Sequence, residues 1–511
     1  MTKKQQLAQS AAMIAIFTLI SKGLGFLREV MIASKFGSGM ETDTYFVAMT
    51  ATALIMGTLG SALNTTLIPI FSEIGENSGR SGQRRYLNNV LNLVFLITII
   101  LGIVAFILSP VMIRIMAKGF EGEQFELAVR LNRIGLPIII FLGFTYVFSG
   151  YLQSRQIFGP HAIMGIPYNF VFLIYLIFFT EKLDICTLML VSVGASLTQV
   201  LIQIPAVRHS GYRYSLNVDM RDPYLKKAMI LVLPVLLGSA VRQINGIVDK
   251  TLASELVEGS ISALTYAARI NDLVIAVFVM AITTVIFPML SQAFSQGDGF
   301  QLKRILNQGV NIILLVTVPA TIGMILLAEP IIRIFFERNA FDARATMMTS
   351  EALVFYSIGL VGSSLRLMLN KVFYSLQDTR TPMINGGMAV ALNIVLNLFF
   401  IRSMGHSGLA LATSISAIFT TCLLFIDLKR RLGSIGLKGM ISTFIKTVFA
   451  AGIMGIVVYL IYFRLGAKFI DGKFVDMIML LLSIGAGVIV YFTLCVLFRI
   501  EELKTIFRAR F

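Results

Sequence analysis

Leu93-Val-Phe-Leu-Ile-Thr-Ile-Ile-Leu-Gly-Ile-Val-Ala-Phe-Ile-Leu-Ser-Pro-Val-Met-Ile113 decides the fold class. No charged residue interrupts the chain between Arg85 and Arg114. The run is about the 20 residues that a helix needs to cross a bilayer core. In lipid each backbone N–H and C=O must be satisfied within its own segment, so such a run is a helix. Comparable stretches fill the rest of the chain, at approximately 8–36, 43–74, 87–116, 128–154, 159–180, 184–207, 223–253, 260–295, 303–336, 346–376, 381–401, 406–428, 439–463 and 475–498. Of the 511 residues 57% are hydrophobic and 14% charged, which leaves little outside the membrane. The expected fold is an all-α polytopic membrane protein of about 14 transmembrane helices.

The net charge of +16 would suggest nucleic acid in a soluble protein. Here Lys and Arg gather between spans, where they bias orientation toward the cytoplasm. The loops Arg80–Arg85, Arg208–Lys227, Lys303–Arg304, Lys429–Lys438 and Arg499–Arg510 are basic. They alternate with poorer or more acidic ones such as Lys118–Glu126 and Glu255–Glu258. Both termini are therefore expected in the cytoplasm, and no nucleic-acid partner is expected. Cys186, Cys422 and Cys495 lie in apolar segments without metal-ligand spacing and read as small core residues. His161, His209 and His406 are scattered, so neither a metal nor another cofactor is indicated. Lys3 and Lys4 before an apolar run imitate a signal peptide, but the run continues past Lys22 and Arg28 and reads as a retained first helix.

The chain repeats itself. Thr65-Thr-Leu-Ile-Pro69-Ile-Phe-Ser72 is echoed by Thr284-Val-Ile-Phe-Pro288-Met-Leu-Ser291, and Pro110-Val-Met-Ile-Arg114 by Pro330-Ile-Ile-Arg333. Tyr151-Leu-Gln-Ser-Arg155 with Gly159-Pro160 is echoed by Tyr374-Ser-Leu-Gln-Asp378 with Thr381-Pro382. An offset of about 220 residues holds through all three landmarks. The expected organisation is an N-terminal six-helix lobe at 1–221, a C-terminal one at 222–432 related by a pseudo-twofold axis, and an appended helix pair at 433–511. Such parallel repeats are characteristic of alternating-access transporters, with the substrate between the halves.

Ionisable residues inside spans cost about 2.5–3.5 kcal/mol each on insertion scales and usually face a cavity or a partner. Lys22 and Glu29 in span 1 are seven residues apart and share a helical face, with Arg28 elsewhere unless Gly23 and Gly25 bend the helix. Glu29 neutralises Lys22 or Arg28, or belongs to a substrate site. Asp43 opens span 2. Arg242 and Asp249 share a face of span 7, as structural glue or as site residues, and Arg269 and Asp272 lie in span 8. A cavity lined by Lys22, Arg28, Arg242 and Arg269 suits an anionic substrate, a diphosphate especially, because guanidinium gives paired donors. Arg366 and Lys371 are long enough to snorkel to an interface, and Arg114 and Arg333 read as anchors at span ends.

A second cluster carries oxygens. Asn393 and Asn397 share a face of span 11 at i and i+4, and Thr413 lies in span 12. With Asp249 they form either an interhelical glue or a shell for a monovalent coupling cation such as sodium, one carboxylate balancing one charge.

The stretch Ser21-Lys22-Gly-Leu-Gly-Phe-Leu-Arg28-Glu29, followed by Phe36-Gly-Ser-Gly-Met-Glu-Thr-Asp43-Thr-Tyr-Phe-Val-Ala48, resembles the MurJ/MviN family of the multidrug/oligosaccharidyl-lipid/polysaccharide exporter superfamily. Tyr266-Ala-Ala-Arg269, Phe287-Pro-Met-Leu-Ser291 and Phe373-Tyr-Ser-Leu-Gln-Asp-Thr-Arg-Thr-Pro382 carry the same resemblance. It implies a flippase, not an enzyme, of the bacterial cytoplasmic (inner) membrane. Its substrate would be lipid II, the undecaprenyl-diphosphate-linked peptidoglycan precursor, moved from the inner to the outer leaflet in cell-wall biogenesis. Membrane lipids and cell-wall synthesis proteins are the partners implied. By position Arg28 and Arg269 match cavity arginines of the family and Asp43 a family aspartate. Lys22 stands where arginine is usual and Glu29 where aspartate is. Spans 13 and 14 would form a groove for the prenyl tail. One stretch departs: Thr52-Ala-Leu-Ile-Met56-Gly57-Thr-Leu-Gly60-Ser61 lacks the family's cavity arginine in span 2, and Arg242 is the candidate to replace that charge.

Other readings fit less well. A flippase for another polyprenyl-diphosphate-linked glycan shares the cations. A cation-coupled drug exporter of the same superfamily would favour acidic cavity residues. A membrane glycosyltransferase would want an aqueous loop with paired carboxylates, often with a metal, and the loops are short.

Overall fold

In the computed structural model the described residues are 3–179, 184–216, 218–466, 472–500 and 502, with the side chains of all but 3–13, 15, 61 and 233–242. Helices are the only regular elements among them, as apolar segments in lipid require. The order is α1 Lys3–Phe36, α2 Met40–Met116, α3 Gly122–Gly135, α4 Pro137–Ser154, α5 Gly159–Ile163, α6 Gly165–Phe178, α7 Ile185–Leu201, α8 Ile204–His209, α9 Pro223–Ser254 and α10 Ser260–Val274. After a π turn at Ile275–Val279 come α11 Met280–Ser295, α12 Gly299–Leu326, α13 Ala328–Phe335, α14 Ala343–Ile358, α15 Leu360–Ser375, α16 Arg380–Leu432, α17 Leu437–Tyr459 and α18 Lys473–Leu497.

Among the described residues ten helical segments are long and apolar enough to cross a membrane, or eleven if the bent pair α14–α15 counts as one span. The expected count is fourteen, and the difference is local. The expected spans 1 and 7 lie on α1 and α9, which are helices outside those ten. The expected spans 11 and 12 lie on one element, α16, which breaks at Gly405 (φ 57°). Likewise α2 holds two spans parted at Gly79 (φ 63°), a left-handed backbone that glycine reaches without the Cβ clash.

Two compact units divide after Ser262. The first takes in α1–α9, with α2 packed against α3, α4 and α9. The packing of α9 on α2 carries this boundary one helix beyond the repeat boundary expected at 221/222. The core of this unit includes Phe71 between Tyr86 and Tyr151, edge-on at 5.2 and 5.4 Å. In the second unit α12 packs on α17, α14 and α15 on α16, and α17 on α18. Helices in lipid gain little from hydrophobic exclusion and associate through close packing at small residues. Gly362 shows the consequence: a Cβ there would lie 2.9 Å from the backbone nitrogen of Ile418.

Backbone geometry recurs at the offset of the sequence repeat. Gly37 and Gly259, Gly79 and Gly297, and Gln156 and Gln377 all have positive φ. The two glutamines are the more telling pair, since a side chain with Cβ rarely adopts this conformation. Cys186 and Cys495 are buried as expected, whereas Cys422 is exposed. In a membrane chain the lipid-facing surface is as apolar as the core, so an apolar segment alone does not place a small thiol inside.

Candidate functional site

The charged stretch of span 1 lies on α1, which packs against α5 and α6. Arg28 Nη2 donates to Glu29 Oε1 at 2.6 Å, and Nη1 donates to Asn169 Oδ1 at 3.2 Å. The guanidinium sits over the rings of Tyr168 and Phe172, 5.4 and 5.0 Å from their centroids. Asn169 is itself oriented, donating to the carbonyls of Ser21 and Gly165 at 3.1 and 2.8 Å. Glu29 is 4% exposed and Arg28 16%, so this is a nearly buried ion pair set in an aromatic frame. Such a pair is costly to desolvate and costlier to break.

Of the two cations that Glu29 is expected to neutralise, it meets Arg28, and Lys22, seven residues away on the same helix, is exposed while Glu29 is buried. α1 runs as one helix through Gly23 and Gly25. The long arginine side chain reaches its neighbour instead.

Asp43 lies in the first turn of α2 and is buried. Its Oδ2 accepts from Gly259 N–H at 2.8 Å, and Oδ1 from the Ser262 N–H at 2.7 Å and hydroxyl at 2.6 Å. Beside it Met40 N–H donates to Glu258 Oε1 at 2.6 Å, and the hydroxyls of Ser38 and Ser262 lie 2.8 Å apart. The carboxylate thus occupies the N-terminus of the helix that begins at Ser260, where free N–H groups and the helix dipole favour an anion.

Asp249 on α9 accepts from Asn245 Nδ2 at 3.2 Å. Arg242 lies on the same helix with its side chain outside the described residues. In the second unit Arg269 and Asp272 are exposed on α10. Asn397 Nδ2 donates to Asn393 Oδ1 at 3.0 Å, and Asn393 Nδ2 to Thr413 Oγ1 at 3.4 Å. Both asparagines are buried, so the three oxygen-bearing side chains expected to converge do so within this unit. No cluster of His, Cys, Asp or Glu suited to a metal occurs among the described residues.

The family model for "Lipid II flippase MurJ" matches residues 32–480. The chain belongs to that family. It is 30% identical over 423 residues to a "Probable lipid II flippase MurJ" of Rhizobium tropici, covering 81% of this chain and 79% of that one. It is 28% identical over 428 residues to a "Lipid II flippase MurJ" of Burkholderia cenocepacia, with 81% and 82% covered. A solved structure titled "Lipid II flippase MurJ, inward closed conformation" superposes with a TM-score of 0.79 at 26% identity, covering 96% of this chain and 99% of that chain. An inward-facing multidrug resistance MATE transporter superposes at 0.67 with 15% identity, a likeness of fold.

In this family member one face of the middle of span 2, carrying Met56 and Gly60, is core. Met56 is 1% exposed and packs in a cluster with Ala105, Leu136 and Ile139. Gly60 meets Tyr146 so closely that a Cβ would fall 2.1 Å from the ring. Helices this close leave no room for a guanidinium on that face.

Sequence reasoning missed Asn169, Tyr168 and Phe172, which frame Arg28. Their one legible trace is a lone asparagine in an otherwise apolar span. It also read Arg333 only as an anchor. Arg333 Nε donates to Asp476 Oδ2 at 3.1 Å and Nη2 donates to Tyr462 at 3.0 Å, while Tyr462 donates to Asp476. That triad ties α13 to α18 and to the π turn Leu460–Leu465 that follows α17.

Proposed function

We propose that this multi-pass membrane protein flips lipid II from the inner to the outer leaflet of the bacterial cytoplasmic membrane by alternating access. Membership of the lipid II flippase MurJ family across residues 32–480 carries this reading. Lys22, Arg28 and Arg269, with Arg242, hold the diphosphate, whose charge is neutralised by cations while the prenyl tail stays in lipid. Arg28 suits an exchange of partners. At rest it is neutralised by Glu29, and a diphosphate offers the same guanidinium more oxygens in the same fork geometry. The pair thereby avoids an uncompensated buried charge between cycles.

Asp249, Asn393, Asn397 and Thr413 take a coupling sodium ion. The membrane potential adds about 2.3 kcal/mol per charge moved across 100 mV. Both termini face the cytoplasm, as the basic loops indicate. The activity is transport, with no bond made or broken.

Complementation tests the reading. A bacterium depleted of its own lipid II flippase and expressing this chain should grow and show lipid II in its outer leaflet. Arg28→Ala and Arg269→Ala should abolish rescue with the protein still in the membrane. Failure of the unaltered chain despite good expression, with flipping of another polyprenyl-diphosphate glycan, would transfer the assignment to that glycan.

A further inference from the structure

The segment that follows α8 is strapped across the second half of α2 by a ladder of buried asparagines. Asn88 Oδ1 accepts from the Tyr212 hydroxyl at 2.6 Å and from Ser215 N–H at 3.0 Å, and its Nδ2 donates to the Arg213 carbonyl at 3.2 Å. Asn92 exchanges bonds with the Ser215 carbonyl at 3.0 Å and the Tyr214 hydroxyl at 2.8 Å. Asn89 pairs with the backbone of Asp219 in both directions, at 2.8 and 2.9 Å. These side chains supply partners to the backbone of Arg213, Ser215 and Asp219 that an irregular segment lacks.

A cavity of about 700 Å³ opens beside the strap. Phe95, Phe144 and Phe148 give it an aromatic wall, and Arg208 from α8 and Arg213 and Tyr214 from the strap line it as well. Both arginines are exposed, and among the described residues neither guanidinium has a hydrogen-bond or ion-pair partner. Along the strap Tyr214, Leu216, Val218 and Met220 are exposed at 61, 86, 45 and 60%. An alternating row of exposed apolar side chains on a basic segment at a span end suits the headgroup boundary of a bilayer, not water. This end carries Arg80, Arg84, Arg85, Arg155 and Arg208, the cytoplasmic end by the distribution of basic loops.

We propose that this groove holds one anionic phospholipid of the cytoplasmic leaflet, its phosphate against Arg208 and Arg213 and an acyl chain along Phe95, Phe144 and Phe148. The occupant follows from the combination of partnerless guanidinium groups, which match a phosphodiester, with an apolar wall of acyl-chain character. The bound lipid fixes the inner end of the first unit at the membrane surface. The assignment is independent of which lipid-linked glycan the protein moves.

Native mass spectrometry of the purified full-length chain in detergent tests it, with phosphatidylglycerol or phosphatidylcholine of matched chains as probes. One phosphatidylglycerol should be retained with a preference of about 30-fold, the effect of two arginines at about 1 kcal/mol each. The double variant Arg208→Gln/Arg213→Gln should lose that preference, and Arg208→Lys/Arg213→Lys should keep most of it. Both exchanges are at exposed side chains, and unchanged thermal unfolding checks that the fold persists. Equal retention of the two lipids, or a preference that survives in the double glutamine variant, overturns the proposal. Displacement by inorganic phosphate alone would make the groove a phosphate site, and stronger retention of undecaprenyl diphosphate would make it a substrate site. Either result also overturns it.

Discussion

Asp43 and Ser262, far apart in sequence, are joined by two hydrogen bonds to one carboxylate oxygen, from the Ser262 N–H at 2.7 Å and its hydroxyl at 2.6 Å. With Gly259 N–H at 2.8 Å, the carboxylate satisfies three donors in a buried place. Hydrogen bonds to a charged group contribute about 1.5–3 kcal/mol each, and a buried donor left alone costs more than its bond was worth. Asp43→Ala should therefore lower stability by about 3 kcal/mol or more, and Asp43→Asn by roughly half as much, since the amide keeps one acceptor. Thermal unfolding in detergent measures both. Equal effects of the two exchanges would show that the acceptor kept by the amide contributes nothing without the charge.

Glu29 has its largest effect through the charge it neutralises. Glu29→Gln removes the charge that neutralises the nearly buried Arg28 and leaves it only neutral acceptors, the new amide oxygen and Asn169, and breaking such a pair costs about 3–5 kcal/mol. Replacing both partners, Arg28→Met with Glu29→Met, should recover most of the loss, because no charge is then stranded. The double variant should be more stable than Glu29→Gln and inactive in complementation. A double variant less stable than the single one would falsify the account of the pair.

Gly60 is small because Tyr146 is close. Gly60→Ala would place a Cβ 2.1 Å from the tyrosine ring, and overpacking of this kind costs about 1–3 kcal/mol. Tyr146→Ala in the same chain should offset the loss, a coupling that a double-mutant cycle reads directly. Strict additivity of the two exchanges would mean that the helices shift apart at no cost.

Asp378 lies between α15 and α16, outside the spans. Burial would raise its pKa, but the backbone and hydroxyl of Thr381 and the guanidinium of Arg431 outweigh burial and hold it below the usual 3.8. A carboxylate with a depressed folded-state pKa adds stability above its unfolded pKa and loses it as pH falls through the folded value. The stability difference between the native chain and Asp378→Asn should therefore be constant from neutral pH down to about 4 and close below it. A difference that grows on acidification contradicts the depressed pKa.

The sequence by itself determined the class, the helical content, the candidate cations and the family, because each is written in local runs. An apolar stretch must be a helix in lipid, and Ser21–Glu29 with Phe36–Ala48 is a contiguous signature. The repeat was legible too, and positive φ at Gln156 and Gln377 falls on its landmark. Helix ends inside long elements were less so, since the breaks at Gly79 and Gly405 are single residues among many glycines. Only the tertiary structure decided what each charge meets. The sequence left Glu29 with Lys22 or Arg28 as its partner, whereas packing of α1 on α6 buried Glu29 against Arg28 and brought in Asn169, Tyr168 and Phe172. In the same way nothing in the sequence tied Asn88, Asn89 and Asn92 to the backbone of Arg213, Ser215 and Asp219, which the fold lays beside them. The physical reason is common to all these cases. In a bilayer every helix is apolar on all sides, so periodicity does not say which face meets a neighbour. The partner of a polar group is chosen by close packing between segments far apart in the chain.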